Sequence, residues 1–598
     1  MTARRDIRIA NCSGFYGDRI SAAAEMVSGG PIDVLTGDYL AELTMLILWK
    51  ARQKDPEAGY AKTFLTQLEQ VLGTCLDRGI KIVSNAGGLN PSGLARRAAE
   101  LAEKLGLAPK IAYVEGDDLT GRIDALAAAG HPLANTDTGQ PLADAGAKPV
   151  TANAYLGGWG IREALAAGAD IVVCPRVTDA SLVAGPAAWW HGWERTSYDE
   201  LAGAVAAGHV IECGPQATGG NYSWLAEITD RRYPGFPIAE VASDGSSVIT
   251  KHPGTGGLVS VGTVTAQLLY EIAGPAYLNP DVVAHFDTAR LEQQGPDRVR
   301  ISGTRGMPPP PDLKVAVNYL GGYRNTMTLV LTGLDIEEKA AWAEQELLQI
   351  LGGPERFAAV DIRLLRFDQP DAPTNEQATA HLRVTVKDPD PRKAGRAFSG
   401  AVMELALGGY PGFHTTTPPT PESAYGVYWP ALIPADLVEH TVVLPDGTRR
   451  AVPPAPETSP PPAQVTRPPA HAGLPPGEAS LPAGGPAVRA PLGRVCAARS
   501  GDKGGNANIG VWTRDAAGYD WLRRYLTVQR LRELITEAAA LPVRRYELPN
   551  LNALNFVIEG LLGAGVASST RPDPQAKGLG EYLRSRYADI PADLLERQ

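Results

Sequence analysis

Cysteine is scarce in this chain. There are five in 598 residues (Cys12, Cys75, Cys174, Cys213 and Cys496), scattered and odd in number. Such a set is no disulfide framework, and without a CxxC pair it is no zinc motif. Histidine is equally sparse, nine in all, with no pair at metal-ligand spacing, so no metal site is expected. Long hydrophobic runs are missing too. The densest, Leu43 to Trp49, is too short to span a bilayer. The polar start, Met1 to Arg5, has no signal-peptide apolar core. The expectation is a cytoplasmic protein with no membrane partner. Positive charge is not in surplus: 56 Lys and Arg against 66 Asp and Glu leave a net charge of −10. A nucleic-acid surface would show clustered cations, so no nucleic-acid partner is expected. Common catalytic fingerprints are absent as well: no GxGxxG after a strand, no GxxxxGK[ST], no HExxH, no GxSxG. Rossmann dehydrogenases, P-loop NTPases, zincins and α/β-hydrolases are therefore disfavoured, and no motif requires a cofactor.

Glycine and proline, by contrast, are plentiful at 65 and 50 residues, which predicts many loops and turns. The first part alternates apolar strands with helical periods. Asp6–Ala10, Ile80–Ser84, Lys110–Val114 and Ala169–Pro175 read as strands; Ile20–Val27, Pro91–Leu105 and Gly160–Ala167 read as helices. That pattern predicts an α/β lobe over residues 1–235, a mostly parallel, doubly wound sheet covered on both faces. Residues 236–440 read as an α+β second lobe. It opens on a hairpin around Ser243-Asp244-Gly245 and continues with a helix from about Leu258 to Ile272. Residues 453–486 are Pro- and Ala-rich and read as an extended linker. A small α+β domain over 491–590 comes next.

In an open parallel sheet, ligands sit beyond the carboxyl ends of the strands, so five glycine-rich loops there are the candidate site. The first carries Ser13, Gly14, Gly17 and Asp18; it reads either as an anion-binding loop or as a turn with Asp18 capping the next helix. The second carries Asn85, Gly87 and Gly88 before Pro91, a ligand wall or a plain strand-to-helix turn. In the third, Arg176 and Asp179 emerge together. Arg176 can clamp a carboxylate or phosphate and Asp179 can act as a base, unless the two only brace the loop. The fourth, Glu212-Cys213-Gly214-Pro215-Gln216-Ala217-Thr218-Gly219-Gly220-Asn221, sets Gln216 and Asn221 as oxyanion donors beside the acid Glu212. Cys213 is a weaker candidate, having no adjacent His to activate it. The fifth, Arg499 to Ile509 in the tail, reads as an anion nest with Lys503 as countercharge beside Asp502, or as a long exposed hairpin loop. His252 and His414 stand alone in loops and read more readily as solvated than as proton-transfer groups.

The segments IANCSGFYGDR, SNAGGLNP, GADIVVCPRVTDASL, ECGPQATGGNY and SGDKGGNANIG, in this order, resemble the acyclic terpene utilisation family, AtuA. The resemblance covers Ile7 to about Pro434 as the large domain and Gly493 to about Leu583 as a small ferredoxin-fold domain. It implies a place in breakdown of acyclic terpenes through branched acyl-CoA thioesters, but no catalytic residue set. The leading expectation is thus a hydratase or C–C lyase acting on a branched acyl-CoA or carboxylate, with Asp179, Glu212 and Gln216 catalytic. The alternative is a non-catalytic binding or assembly subunit of an acyl-CoA enzyme. A small-molecule kinase or ligase using the tail loop is a third reading. A homo-oligomer or an acyl-CoA-enzyme partner fits the first two.

Overall fold

The computed structural model describes residues 4–462 and 486–596. Most of the expected linker, residues 463–485, lies outside the described residues.

Five parallel strands form the centre of the first sheet, in the spatial order Ile111–Glu115, Ile171–Val173, Lys81–Ser84, Val34–Gly37, Ile7–Asn11. Their period-two alternation feeds two separate cores, which is why they read as continuous apolar runs. Leu35, Ile82, Ile171 and Val173 pack under helices Lys62–Arg78 and Pro91–Lys104. Val34, Val83 and Val172 pack on the other face under Trp159–Ala166, Ser181–His191 and Tyr198–Ile211. Asn90 caps the helix that starts at Pro91, its Oδ1 accepting from Gly93 N at 2.9 Å.

The sheet does not stop where the first lobe was expected to end. Pro237–Val241, Ser247–Lys251, Arg298–Ser302 and Arg290–Gly295 continue it antiparallel from the Ile7–Asn11 edge. Thr441–Val443 and Arg449–Ala451 extend the opposite edge, giving eleven strands in all. The expected division at residue 235 therefore falls inside one sheet. Hairpin polarity alone cannot reveal which edge a strand joins.

A second sheet is organised by one 21-residue strand, Asp312–Thr332. Its first half pairs with Ser423–Pro434 and with Pro149–Ala154 from the α/β region. Its second half pairs with Thr379–Asp388, which pairs in turn with Ala359–Arg366. Helices Ile336–Leu351 and Phe398–Gly408 close this arm around its own core of Met327, Leu329, Leu331, Leu382, Val384 and Phe398.

The tail domain is a four-stranded antiparallel sheet in the order Ala497–Lys503, Asn506–Trp512, Ala553–Ile558, Val543–Leu548. Helices Ala516–Tyr525, Val528–Leu534 and Leu579–Ser585 belong to it. It docks on the large domain. Ala497, Trp512 and Ala553 join the large core. Asn508 is buried at the seam, donating to Leu269 O at 3.1 Å and accepting from Glu271 N at 2.8 Å.

Candidate functional site

The carboxyl ends of the parallel strands point at this seam, and a buried charged cluster occupies it. Asp38 follows the strand Val34–Gly37. Its Oδ1 accepts from Asn85 Nδ2 at 2.6 Å and from Leu40 N at 3.0 Å. Burial, with Asp179 adding to it, holds the Asp38 carboxyl well above its ordinary range. Arg176 follows the strand Ile171–Val173 and is 2% exposed. It donates to Leu40 O at 2.7 Å and to Asp179, and lies 4.2 Å from the Tyr155 ring centroid. Burial opposes its charge, but Asp179, Tyr155 and Asp38 outweigh burial and keep the guanidinium charged. Asp117, bonded by Asn153 Nδ2 at 2.8 Å, is pushed up to about 7 by burial.

Glu212 ends the helix Tyr198–Ile211 and is buried. Burial, Asp179 and Glu271 raise it well above the usual carboxylate range. Its Oε1 lies 3.3 Å from Nδ1 of His209, and its Oε2 is buried without a hydrogen-bond partner. His209 packs on the Tyr277 ring at 4.7 Å, and burial together with Lys503 lowers it to about 4, leaving the imidazole neutral.

The tail supplies the other half. Residues Ala497–Lys503 and Asn506–Trp512 form a tight hairpin turning at Gly504-Gly505, where a long loop was one reading; Arg499 to Lys503 are strand residues. Gly504 has φ 62°, which suits a two-residue turn. Lys503 at its tip faces the cluster. Burial and the nearby Lys314 lower its ammonium, while Glu271, Glu42 and Glu212 oppose that shift. Lys577 binds Glu271 at 3.0 Å and lies 3.6 Å from Asp502. Burial and Glu271 push Asp502 up to about 7. Lys314, on the long strand, binds Glu42 at 3.1 Å and sits over the Tyr155 and Tyr428 rings.

Of the candidates read from the sequence, Asn85, Arg176, Asp179, Glu212, Asp502 and Lys503 meet in this cluster. Gln216 borders it, its Oε1 accepting from Arg499 Nη2 at 2.6 Å. Gly14 passes so close to Cys213 that a Cβ would lie 2.7 Å from the Cys213 carbonyl carbon; a Cβ on Gly87 would lie 2.5 Å from the Cys174 carbonyl oxygen. These glycines let the loops nest against each other. Gly88, with φ 50°, packs against Leu48 and Gly59. Ser13 is turned inward on its own loop, its hydroxyl donating to Phe15 O at 3.0 Å. Asp18 caps no helix; it folds its loop back by accepting from Gly14 N at 2.8 Å.

Gly17, Gly219, Gly220 and Asn221 stand outside the cluster. Gly17 is exposed beside Phe15. Gly219 and Gly220 close a short 3-10 turn, and Asn221 is exposed with φ 60°. The reason is local: Gly214–Thr218 coils, and the chain leaves that coil through Gly219 and Asn221, both at positive φ. Burial and Glu212 raise the Cys213 thiol far above its ordinary value, the opposite of an activated nucleophile. His252 is buried against Gly29 and Gly30, 2.9 Å from Met26 O, and His414 bonds Gly412 O.

Sequence reading missed Asp38, Glu42, His209, Glu271, Tyr277, Lys314 and Lys577. Asp38 had a usable signal, since it follows a parallel strand. Glu271, Lys314 and Lys577 had none, since they come from a turn, an antiparallel strand and a tail loop joined only by folding. Among the described residues no three His, Cys, Asp or Glu side chains are grouped to hold a metal ion, and no helix is long and apolar enough to cross a membrane.

Fold and site together define a two-domain α/β protein with a buried acid–base cluster at the domain seam. Residues 7–444 match the model of the acyclic terpene utilisation family protein AtuA, and residues 490–588 match the AtuA ferredoxin-like domain. The chain belongs to the AtuA family. Comparisons with curated proteins and with solved structures returned no match.

Proposed function

We propose that this chain is an enzyme of acyclic terpene catabolism that moves a proton on a branched acyl-CoA thioester or carboxylate, in a hydration or C–C lyase step. The observation that carries the reading is Glu212. It is a buried acid with one oxygen unpartnered, set among Asp179, Glu271, Arg176 and Lys503 where the two domains meet.

Neighbouring titratable groups with pKa values pushed apart are what acid–base chemistry at neutral pH requires. In this reading the protonated Glu212 gives its proton to the substrate. Asp179, held by Arg176, takes one up. Lys503 and Arg176 offset charge that develops on a carbonyl oxygen, in surroundings where water screens little. Gln216, fixed by Arg499, lines the approach.

The test is turnover of branched 2,3-unsaturated acyl-CoA thioesters by the full chain, followed by mass spectrometry and by deuterium uptake from solvent. Glu212→Gln and Asp179→Asn should each lower turnover about 10²- to 10⁴-fold, the usual worth of a positioned acid or base. Full turnover in both variants removes these assignments. No turnover by the wild type, with stoichiometric capture of an acyl-CoA enzyme from producing cells, supports the assembly-subunit reading instead.

A further inference from the structure

One face of the arm sheet packs under two helices, and the opposite face carries charge. Side chains alternate along a strand, so Met327, Leu382 and Val384 fill the arm core while Arg324, Lys387, Arg383 and Arg363 stand on the other side. Arg324 is directly opposite Lys387, and Arg363 directly opposite Arg383. Like charges placed this way repel. Asp361 is the one carboxylate on that face over residues 324–328, 383–387 and 359–363. It is taken by Arg363, whose Nε bonds its two oxygens at 2.8 and 3.1 Å. Between the cations lie Thr326 and Thr385, bonded to each other at 2.9 Å.

The other three cations meet only neutral oxygen. Residues 567–570 of the tail cross the face and accept through their backbone carbonyls. Arg324 Nη1 donates to Ala567 O at 2.9 Å and to Ser569 O at 3.2 Å, Lys387 Nζ to Ser568 O, and Arg383 Nη1 to Thr570 O. No acid occurs between Leu561 and Pro572, and Arg571 is paired with Glu537. Burial lowers all three cations; neighbouring arginines lower Arg383 and Lys387 further, with Asp361 opposing. Nε and Nη2 of Arg324 and Arg383 have no protein acceptor among the described residues, and none of these nitrogens is sealed from solvent. A neutral donor would hold a carbonyl without the repulsion, so the positive surplus is left for another group to neutralise. The same tract runs on into the seam. Ser568 N bonds Gly565 O at 3.1 Å, a Cβ on Gly565 would lie 3.2 Å from Tyr428 Cβ, and the Tyr428 ring lies 5.6 Å from Lys314 Nζ. One tight turn and one aromatic ring separate the arm cations from the charged cluster.

We propose that this face holds the phosphate groups of a nucleotide-bearing acyl carrier of the coenzyme A class. Such a role rests on the acyl-thioester reading above and adds the place of the carrier's charged end. A pyrophosphate and a ribose phosphate bring the several negative charges that three cations without carboxylate partners call for, and guanidinium forks match phosphate oxygens two at a time. A single carboxylate brings only one charge.

Coenzyme A without an acyl group, titrated calorimetrically into the full-length chain, tests the site. Pantetheine, which lacks the phosphates, and inorganic phosphate are the comparisons. The expected result is saturable coenzyme A binding that weakens with added salt, with each comparison compound bound about tenfold more weakly or worse. Arg324→Gln should lose about tenfold in coenzyme A binding. Arg392→Gln, which removes an exposed arm cation already paired with Asp390, should lose nothing. Should Arg324→Gln fail to fold, Thr570→Glu, which adds a carboxylate to the residue that Arg383 bonds, should give the same loss in a cooperatively melting protein. Coenzyme A bound in this pattern by a chain that turns over no acyl thioester supports the site and removes only the reaction. Coenzyme A held no tighter than pantetheine or inorganic phosphate, or held equally by both variants, overturns the proposal. Acyl-thioester turnover with unchanged KM in both variants overturns it too, and leaves the reaction standing.

Discussion

The arm and the domain seam show opposite ways of filling an interior. The arm core is aliphatic and aromatic, from Met327, Leu329 and Ile336 to Phe398, Leu405 and Tyr410, on one sheet face under two helices. The seam buries Asp38, Glu212 and Arg176, with Asp179, Lys503 and Lys577 beside them. Apolar burial contributes about 25 cal/mol per Å². Burying charges costs several kcal/mol per ion unless partners compensate, and here compensation is incomplete, since Glu212 Oε2 lacks a partner. A fold that needed only stability would have filled the seam as it filled the arm. The contrast marks the seam as the costlier of the two interiors.

The sharpest way to break that contrast is to remove the cation at the centre. Arg176→Met should cost about 3–5 kcal/mol in denaturant unfolding, because it leaves the buried Asp38 and the partly exposed Asp179 without their shared cation. The double change Arg176→Met, Asp179→Leu should recover much of that loss; no recovery would mean the pair is not the source of the cost. In the arm, Leu405→Ala should cost about 2–5 kcal/mol through the cavity it leaves, with turnover at the seam unchanged at temperatures well below melting.

Smaller effects sharpen the comparison through pH. Asp502, raised to about 7, stabilises the fold fully below its unfolded value near 4, and that contribution is lost as pH rises through about 7. Asp502→Asn should therefore flatten the decline of melting temperature between pH 5 and 8, by at most about 1.4 kcal/mol per pH unit for one proton. His209 has the opposite sign. Lowered to about 4, it contributes fully above its unfolded value near 6.5, and this is lost as pH falls through about 4. His209→Phe should raise melting temperature at pH 4 relative to wild type more than at pH 8. An equal shift at both pH values would mean the imidazole is not neutral in the fold.

Much of the parallel half was legible because each element there carries its own signal. The run Ala169–Pro175 could only be a strand buried on both faces, and Asn90-Pro91 announces a helix start. The glycine pair at residues 87 and 88 reflects real close approaches. The hairpin 497–512 is only partly legible, because the small polar residues of Arg499–Lys503 carry a weak strand signal until a partner strand supplies the ladder. The helix expected over 258–272 ends at Leu268, since Glu271 takes φ 54° to bring its carboxylate to Lys577, a demand that originates in another domain.

By itself the sequence determined the alternating strands and helices, the strand-end position of Arg176, Asp179 and Asn85, and the family. Local periodicity and turn chemistry are written in neighbouring residues. Only the tertiary structure decided that Glu212 sits beside Lys503 and that Lys314 and Lys577 face the same seam. Those placements depend on contacts between segments hundreds of residues apart, whose energy exists only once both domains are folded against each other.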